Sequence, residues 1–249
     1  MKQHIFTGSA TALITPFTPD LKDVDYGFFE KTVNFQIENG TDALVVAGTT
    51  GESPVLSAKE KEALLASAVR ANGNRVPLIM GTGSNNTEEA VRKCNDAEKQ
   101  GVNGLLVVTP YYNKCTQEGV IEHYYHIADR VSTPIIVYNV PSRTGFNIQP
   151  ETYAALAQHK NICAVKEANG DISSVAKTIS LCGKDMDIYS GNDDQTVPVM
   201  ALGGKGIISV AANIIPTPMR KIAALMLRGE VLRAREIQNE YLELMNILF

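Results

Sequence analysis

The sequence has no tryptophan, and only four of its 249 residues are cysteine and four histidine. Cys94, Cys115, Cys163 and Cys182 are widely spaced and form no Cys-x-x-Cys pair. That spacing argues against structural zinc and dithiol chemistry, and without an export signal the four read as reduced thiols of a cytoplasmic protein. His123 and His126 lie three apart on a predicted helix beside Glu122, but no third ligand accompanies them. The pair is read as a solvated helix face, and no metal site is expected. No segment approaches the ~20 apolar residues of a membrane helix. The start, Met1-Lys2-Gln3-His4-Ile5-Phe6-Thr7-Gly8, lacks the apolar stretch of a signal peptide. Basic excess is absent too: a net charge of −4 and a pI near 5.6 offer no face to nucleic acid or an anionic membrane.

What is present is the composition of an ordinary globular protein, 44% hydrophobic and 20% charged. Short apolar runs at 10–17, 43–47, 77–81, 104–109, 134–140, 162–166, 187–190 and 206–211 are rich in Val, Ile and Leu. Their near-continuous apolarity suits strands covered on both faces. Amphipathic stretches lie between them, at 57–71, 87–100, 117–131, 149–158 and 172–182, the first opened by Ser57 and Glu60 as a capping box. Eight strand–helix units predict a (β/α)8 TIM barrel, typically about 250 residues long. A doubly wound sheet is the weaker reading because no Gly-rich dinucleotide loop follows a strand. From Glu230 a further amphipathic helix ends on Leu244-Met245-Asn246-Ile247-Leu248-Phe249, an apolar cluster with no cap or polar tail. The expectation is a catalytic barrel over 1–228 and a C-terminal helical region, 229–249, that is cut short.

Barrels of this kind carry their chemistry at the C-terminal ends of the strands. There the second strand offers Gly48-Thr49-Thr50-Gly51-Glu52-Ser53, the third Gly81-Thr82-Gly83-Ser84-Asn85 and the fourth Thr109-Pro110-Tyr111-Tyr112. The fifth ends in Tyr138-Asn139-Val140-Pro141-Ser142-Arg143-Thr144-Gly145, the sixth in Lys166 and the seventh in Ser190-Gly191-Asn192-Asp193. Lys166 follows Cys163-Ala164-Val165, where an ammonium loses hydration and the neutral, nucleophilic amine is favoured. Taken alone it reads as a strand-end lysine that snorkels to solvent. Taken with Tyr138 as a proton-transfer phenol, Thr49 as a relay, Thr50 and nearby N–H groups for one carboxylate and Arg143 for a second, it supplies the parts of an imine-forming aldolase. The Gly203-Gly204-Lys205-Gly206 run precedes the eighth strand and is read as a tight turn, not a phosphate cradle.

These motifs resemble the dihydrodipicolinate synthase family of class I pyruvate-dependent aldolases. The carriers are Gly48-Thr49-Thr50-Gly51-Glu52-Ser53, Tyr111-Tyr112-Asn113, Tyr138 through Gly145, and Val165-Lys166-Glu167-Ala168. The resemblance implies that Lys166 forms an imine with pyruvate and that its enamine adds to L-aspartate 4-semialdehyde, in the diaminopimelate route to lysine. No cofactor is implied beyond that covalent imine. Tyr138 would transfer protons with Thr49 and Tyr112, the latter reaching a neighbouring subunit. Thr50, Gly191 and the backbone at Ile208 match pyruvate-site positions, and Arg143 matches the residue that takes the semialdehyde carboxylate. A cytoplasmic homotetramer, a dimer of dimers, is implied as well. The rival readings are a sister aldolase acting on a keto-acid sugar, like N-acetylneuraminate lyase, and a non-catalytic barrel. Family members inhibited by lysine bind it near positions matching Pro54, Ala58, Lys61, Asn85, Glu89 and Tyr111. Two histidines found there are replaced here by Ala58 and Lys61, and a cation at Lys61 repels an incoming lysine. Weak or absent inhibition by lysine is therefore predicted.

Overall fold

In the computed structural model, which describes residues 2–248, every strand pairs in parallel with the next. β1 (Gly8–Ala12) is followed by α1 (Tyr26–Glu38), β2 (Ala43–Val46) by α2 (Ala58–Asn72), and β3 (Leu78–Gly81) by α3 (Thr87–Lys99). β4 (Gly104–Val108) leads to α4 (Gln117–Ala128), and β5 (Ile135–Asn139) to the single turn α5 (Pro141–Thr144) and then α6 (Pro150–Leu156). β6 (Ile162–Glu167) precedes α7 (Ile172–Cys182), β7 (Asp187–Ser190) precedes α8 (Thr196–Ala201), and β8 (Gly206–Ser209) precedes α9 (Pro216–Leu227). β8 pairs back onto β1, with Gly8 opposite Gly206 and Thr11 opposite Ser209, so the sheet closes. The expected (β/α)8 barrel is what forms.

Two apolar layers result from strand alternation, since successive side chains point to opposite faces. Ala10, Ala12, Ala43, Val45, Ile79, Leu106, Ile136, Ala164 and Ile208 fill the interior, while Leu44, Val46, Val137, Val165 and Ile188 face the helices. The interior is closed below by Phe6, stacked on Tyr189 at 4.2 Å between ring centroids, with the Tyr189 hydroxyl donating to the Phe6 carbonyl at 2.6 Å. Helix ends follow their predicted chemistry. Ser57 and Glu60 exchange both bonds of a capping box, and Asp171 accepts from the N–H groups of Ser173 and Ser174.

Four expectations change. The first strand spans Gly8–Ala12, not 10–17: beyond it Pro16 interrupts, and Phe17 bridges to Val24 instead. Helix α1, capped by Asp25, and helices α8 and α9 fill units of the strand–helix repeat for which no helical bounds are predicted. The C-terminal helix is two, α10 (Val231–Glu240) and α11 (Leu242–Ile247), separated at Tyr241. Ala234 and Met245 are buried with Met219, Ile222 and Met226 of α9, so these helices share one apolar cluster with the barrel's last unit. Phe249 of the expected terminal cluster lies outside the described residues, as does Met1. Finally, His123 is not on a solvated face. It is buried against α3, bonded through Nδ1 to Thr87 Oγ1 at 2.9 Å, and burial pushes its pKa down to about 4. His126 instead pairs with Glu88 at the surface.

The glycine run before β8 is a tight turn. A Cβ on Gly206, at φ 156°, would stand 1.9 Å from the Gly8 carbonyl oxygen, at the end of the barrel opposite the chemistry-bearing loops. Among the described residues no helix is long and apolar enough to cross a membrane.

Candidate active site

Lys166 and Tyr138 are opposite one another in the β5–β6 register, and both point into the barrel. Each is nearly enclosed, 4% and 6% exposed, and the Lys166 Nζ lies 4.4 Å from the centre of the Tyr138 ring. An amine over an aromatic face is held by the ring's quadrupole when charged and packs well when neutral. The two groups that sequence reasoning assigned to imine formation and proton transfer are therefore neighbours.

Tyr138, though not Lys166 itself, lines a cavity of about 300 Å³ whose walls also include Thr49, Arg143, Thr144, Tyr111 and Lys61. Local geometry places each wall. Gly81 lets the β2 exit approach the β3 exit, because a Cβ there would meet the Ala47 carbonyl oxygen at 2.2 Å. Ala47 itself, just before Gly48-Thr49, holds a left-handed φ of 50°, and Glu52 one of 54°. Such strain in non-glycine residues persists only where the surroundings enforce it. Arg143 is presented by α5, a single turn with Pro141 at its start and Gly145 at its left-handed end. Thr144, buried, ties that turn through its hydroxyl to the carbonyls of Val140 and Phe146.

The other predicted residues fall around this centre in different ways. Thr50 is half-buried beside Thr49, and Ile208 is fully buried in the barrel interior with Tyr138. Gly191 packs against the exit of β6, its N–H donating to the Glu167 carbonyl at 2.7 Å, where a Cβ would come within 2.8 Å of the Ala168 methyl. Tyr112 is not brought in. It is 90% exposed with φ at 72°, and the cavity wall at that loop is Tyr111. Of the positions matched to the lysine site of inhibited relatives, Pro54, Lys61 and Tyr111 line the cavity, whereas Ala58 and Glu89 line a neighbouring one on the helix side with Lys61 again between. Asn85 donates to the Tyr111 carbonyl at 3.2 Å. Lys61 has its pKa lowered by burial and by the adjacent ammonium of Lys93, while Glu89 pairs with Arg92 and Lys93.

Three polar residues that sequence reasoning left without a role prove to be buried here. Asn139 follows Tyr138 and Glu167 follows Lys166; by alternation both face outward, opposite one another in register. Burial pushes the Glu167 carboxyl up to about 7, against the opposing effect of its hydrogen bonds from Tyr153 and Asn139. Asp193, at the β7 exit, accepts from the N–H groups of Val210 and Ala211 with one oxygen, while the other has no hydrogen-bond partner among the described residues. Burial raises its pKa, and Lys166 is among the groups whose charge opposes that rise. The available signal was the position of an acid next to a strand lysine in a sheet covered on both faces.

Comparison with known proteins identifies the family. A profile of the Dihydrodipicolinate synthetase family matches residues 5–249. The chain belongs to that family. It is 51% identical to 4-hydroxy-tetrahydrodipicolinate synthase 1 of Clostridium acetobutylicum, over 98% of this chain and 83% of the relative. The same enzyme of Fervidobacterium nodosum is 50% identical over 98% of this chain and 84% of its own length. Among solved structures, the family member from Thermotoga maritima superposes with a TM-score of 0.96 at 43% identity, covering 99% of this chain and 84% of that one. The chloride-inhibited synthase of Acinetobacter baumannii, solved with pyruvate, gives 0.95 at 40% identity over 98% and 83%. The family profile takes in the barrel together with α10 and α11.

Proposed function

We infer that this chain condenses pyruvate with L-aspartate 4-semialdehyde to give 4-hydroxy-tetrahydrodipicolinate, a lyase-class aldol reaction on the diaminopimelate route to lysine. The observation that carries the reading is the enclosed Lys166 amine lying against Tyr138 at the catalytic end of a barrel whose named relatives are synthases of that product. Lys166 Nζ attacks the pyruvate ketone, and loss of water leaves an imine. Removal of a methyl proton turns it into an enamine, whose carbon adds to the semialdehyde carbonyl. The substrate's own amine then attacks the imine carbon, closes the ring and frees Lys166. Tyr138, in the wall of the cavity and beside the amine, is the proton carrier, with Thr49, which lines the same cavity, as its relay. Thr50, Gly191 and the backbone at Ile208 hold the pyruvate end. Arg143, exposed at the rim, takes the semialdehyde carboxylate. The chemistry needs no metal or organic cofactor, since the protonated imine is itself the electron sink.

Tyr112 serves a neighbouring subunit in this reading. Its side chain stands clear of its own cavity on a strained loop, which suits a residue that completes a relay across an interface in a cytoplasmic homotetramer. The decisive test adds borohydride to protein and pyruvate. A covalent adduct, located on Lys166 by peptide mapping and missing in Lys166→Ala, is expected. No adduct in the parent chain sinks the reading. Turnover of aspartate semialdehyde against sugar keto-acids then separates the synthase from a sister aldolase.

A further inference from the structure

We propose that Glu167 is a positioning residue of this site, binding the exits of β5 and β6 and the Arg143 loop into one hydrogen-bonded unit. The proposal rests on the aldolase reading above. Glu167 faces the helices, where a parallel barrel normally places an apolar side chain. It is 5% exposed, and among the described residues no lysine or arginine pairs with it. Its carboxylate is held by neutral donors alone: Oε2 accepts from the Tyr153 hydroxyl at 2.6 Å, and Oε1 accepts from Asn139 Nδ2 and the Asn169 N–H, both at 2.9 Å.

Asn139 carries the connection onward. Its second amide hydrogen goes to Asn147 Oδ1 at 2.8 Å, and its Oδ1 accepts from the Ile148 N–H at 3.3 Å. Asn147 and Ile148 close the loop that carries Arg143. One carboxylate thus has two arms. A short arm fixes the backbone on either side of the Tyr138–Lys166 pair, and a longer one runs through Asn139 to the loop that meets the second substrate. A side chain needed only for burial would leave these donors unused, and buried donors without acceptors are strongly disfavoured.

The arms can be tested separately on the full chain. Glu167→Ala, in protein still folded by circular dichroism, is expected to slow borohydride trapping of the pyruvate imine about tenfold or more and to raise KM for the semialdehyde about fivefold, as small displacements of reacting groups do. Glu167→Gln, which keeps an acceptor for Asn139 and Asn169, is expected to restore trapping to within about threefold of the parent. Asn147→Ala cuts only the longer arm, so KM for the semialdehyde rises while trapping is unchanged. Folded Glu167→Ala with parental trapping and KM overturns the proposal. Should that variant fail to fold, an unchanged KM in Asn147→Ala overturns it instead, because a purely structural Glu167 gives no such split. A parent chain that traps no pyruvate removes the aldolase reading itself, whereas normal trapping with indifferent variants removes only the role of Glu167.

Discussion

The two ends of this barrel handle the same backbone problem differently. Where helices turn back into strands, positive-φ conformations fall mostly on glycines such as Gly40, Gly101 and Gly203, which adopt them without strain, with Asn74 the one other residue among those described. Where strands lead out into helices, they fall mostly on non-glycine residues, Leu21, Ala47, Glu52, Tyr112 and Lys114, alongside Gly145 and Gly170. The closed end is also plugged by the stacked Phe6 and Tyr189 rings, while the open end encloses Lys166, Glu167 and Asp193. Strain and buried charge are thus concentrated at one rim. The closed end serves stability and the open end serves chemistry at some cost in stability.

That division predicts opposite outcomes for substitutions at the two ends. Lys166→Ala at the open end is expected to lower turnover by at least about 10³-fold, the loss typical of a missing covalent nucleophile, with an unfolding midpoint equal to or above the parent's. A large fall in the midpoint would mean that the lysine is chiefly structural. Phe6→Ala at the closed end is expected to cost about 3–5 kcal/mol of stability, leaving kcat of the folded fraction within a few-fold of the parent. Chemical denaturation with activity measured in parallel checks both, and a Phe6 variant that kept its stability but lost activity would erase the contrast.

A pH experiment sharpens the same comparison. The folded Glu167 carboxyl is pushed up to about 7 from an ordinary 4.5. Below pH 4.5 the group is protonated in both states. Between 4.5 and 7 the unfolded chain has released its proton and the folded chain retains it, so the folded state binds more protons and stability falls as pH rises. Above 7 the loss is complete, at about 3 kcal/mol for a shift of this size. Surface acids have the opposite slope: hydrogen bonds from Ser57 and Arg92 hold Glu60 and Glu89 low. The quantity to measure is therefore the stability of the parent minus that of Glu167→Gln, by urea unfolding from pH 4.5 to 8. A difference that does not change with pH would refute the linkage.

Much of this was legible in the sequence because apolar continuity and capping signals report burial directly. The barrel follows from those signals; Lys166 and Tyr138 come together only when the polar residues at the strands' C-terminal ends are taken as one set. The first strand was misplaced because Leu13 and Phe17 are apolar for packing and not for ladder pairing, so hydrophobicity alone overran the true end at Ala12. His123 was misjudged because two histidines three apart need not be equally exposed. One packs under α3 while the other meets solvent, and only the neighbouring helix decides which. Glu167 and Asn139 escaped notice for a related reason. Each looks like a stray polar residue in its own strand, and their pairing exists only across the sheet.

The smallest predicted effect lies at the outer edge of the open end. Lys61 is half-buried between two cavities, with the Lys93 ammonium close enough to lower its pKa further. A free lysine approaching Pro54, Glu89 and Tyr111 meets these cations before it can use Glu89, which already pairs with Arg92 and Lys93. Like charges about 5 Å apart in a partly hydrated site cost about 1–3 kcal/mol, enough to weaken binding roughly tenfold or more. Steady-state assays are expected to show no half-inhibition at submillimolar lysine, and the pair Ala58→His with Lys61→His is expected to increase sensitivity by removing a fixed charge. Strong inhibition of the parent chain would mean that the ligand's ammonium is taken by the Glu89 side and never faces Lys61. In that case the open end would tolerate an added cation as readily as the closed end tolerates its glycines.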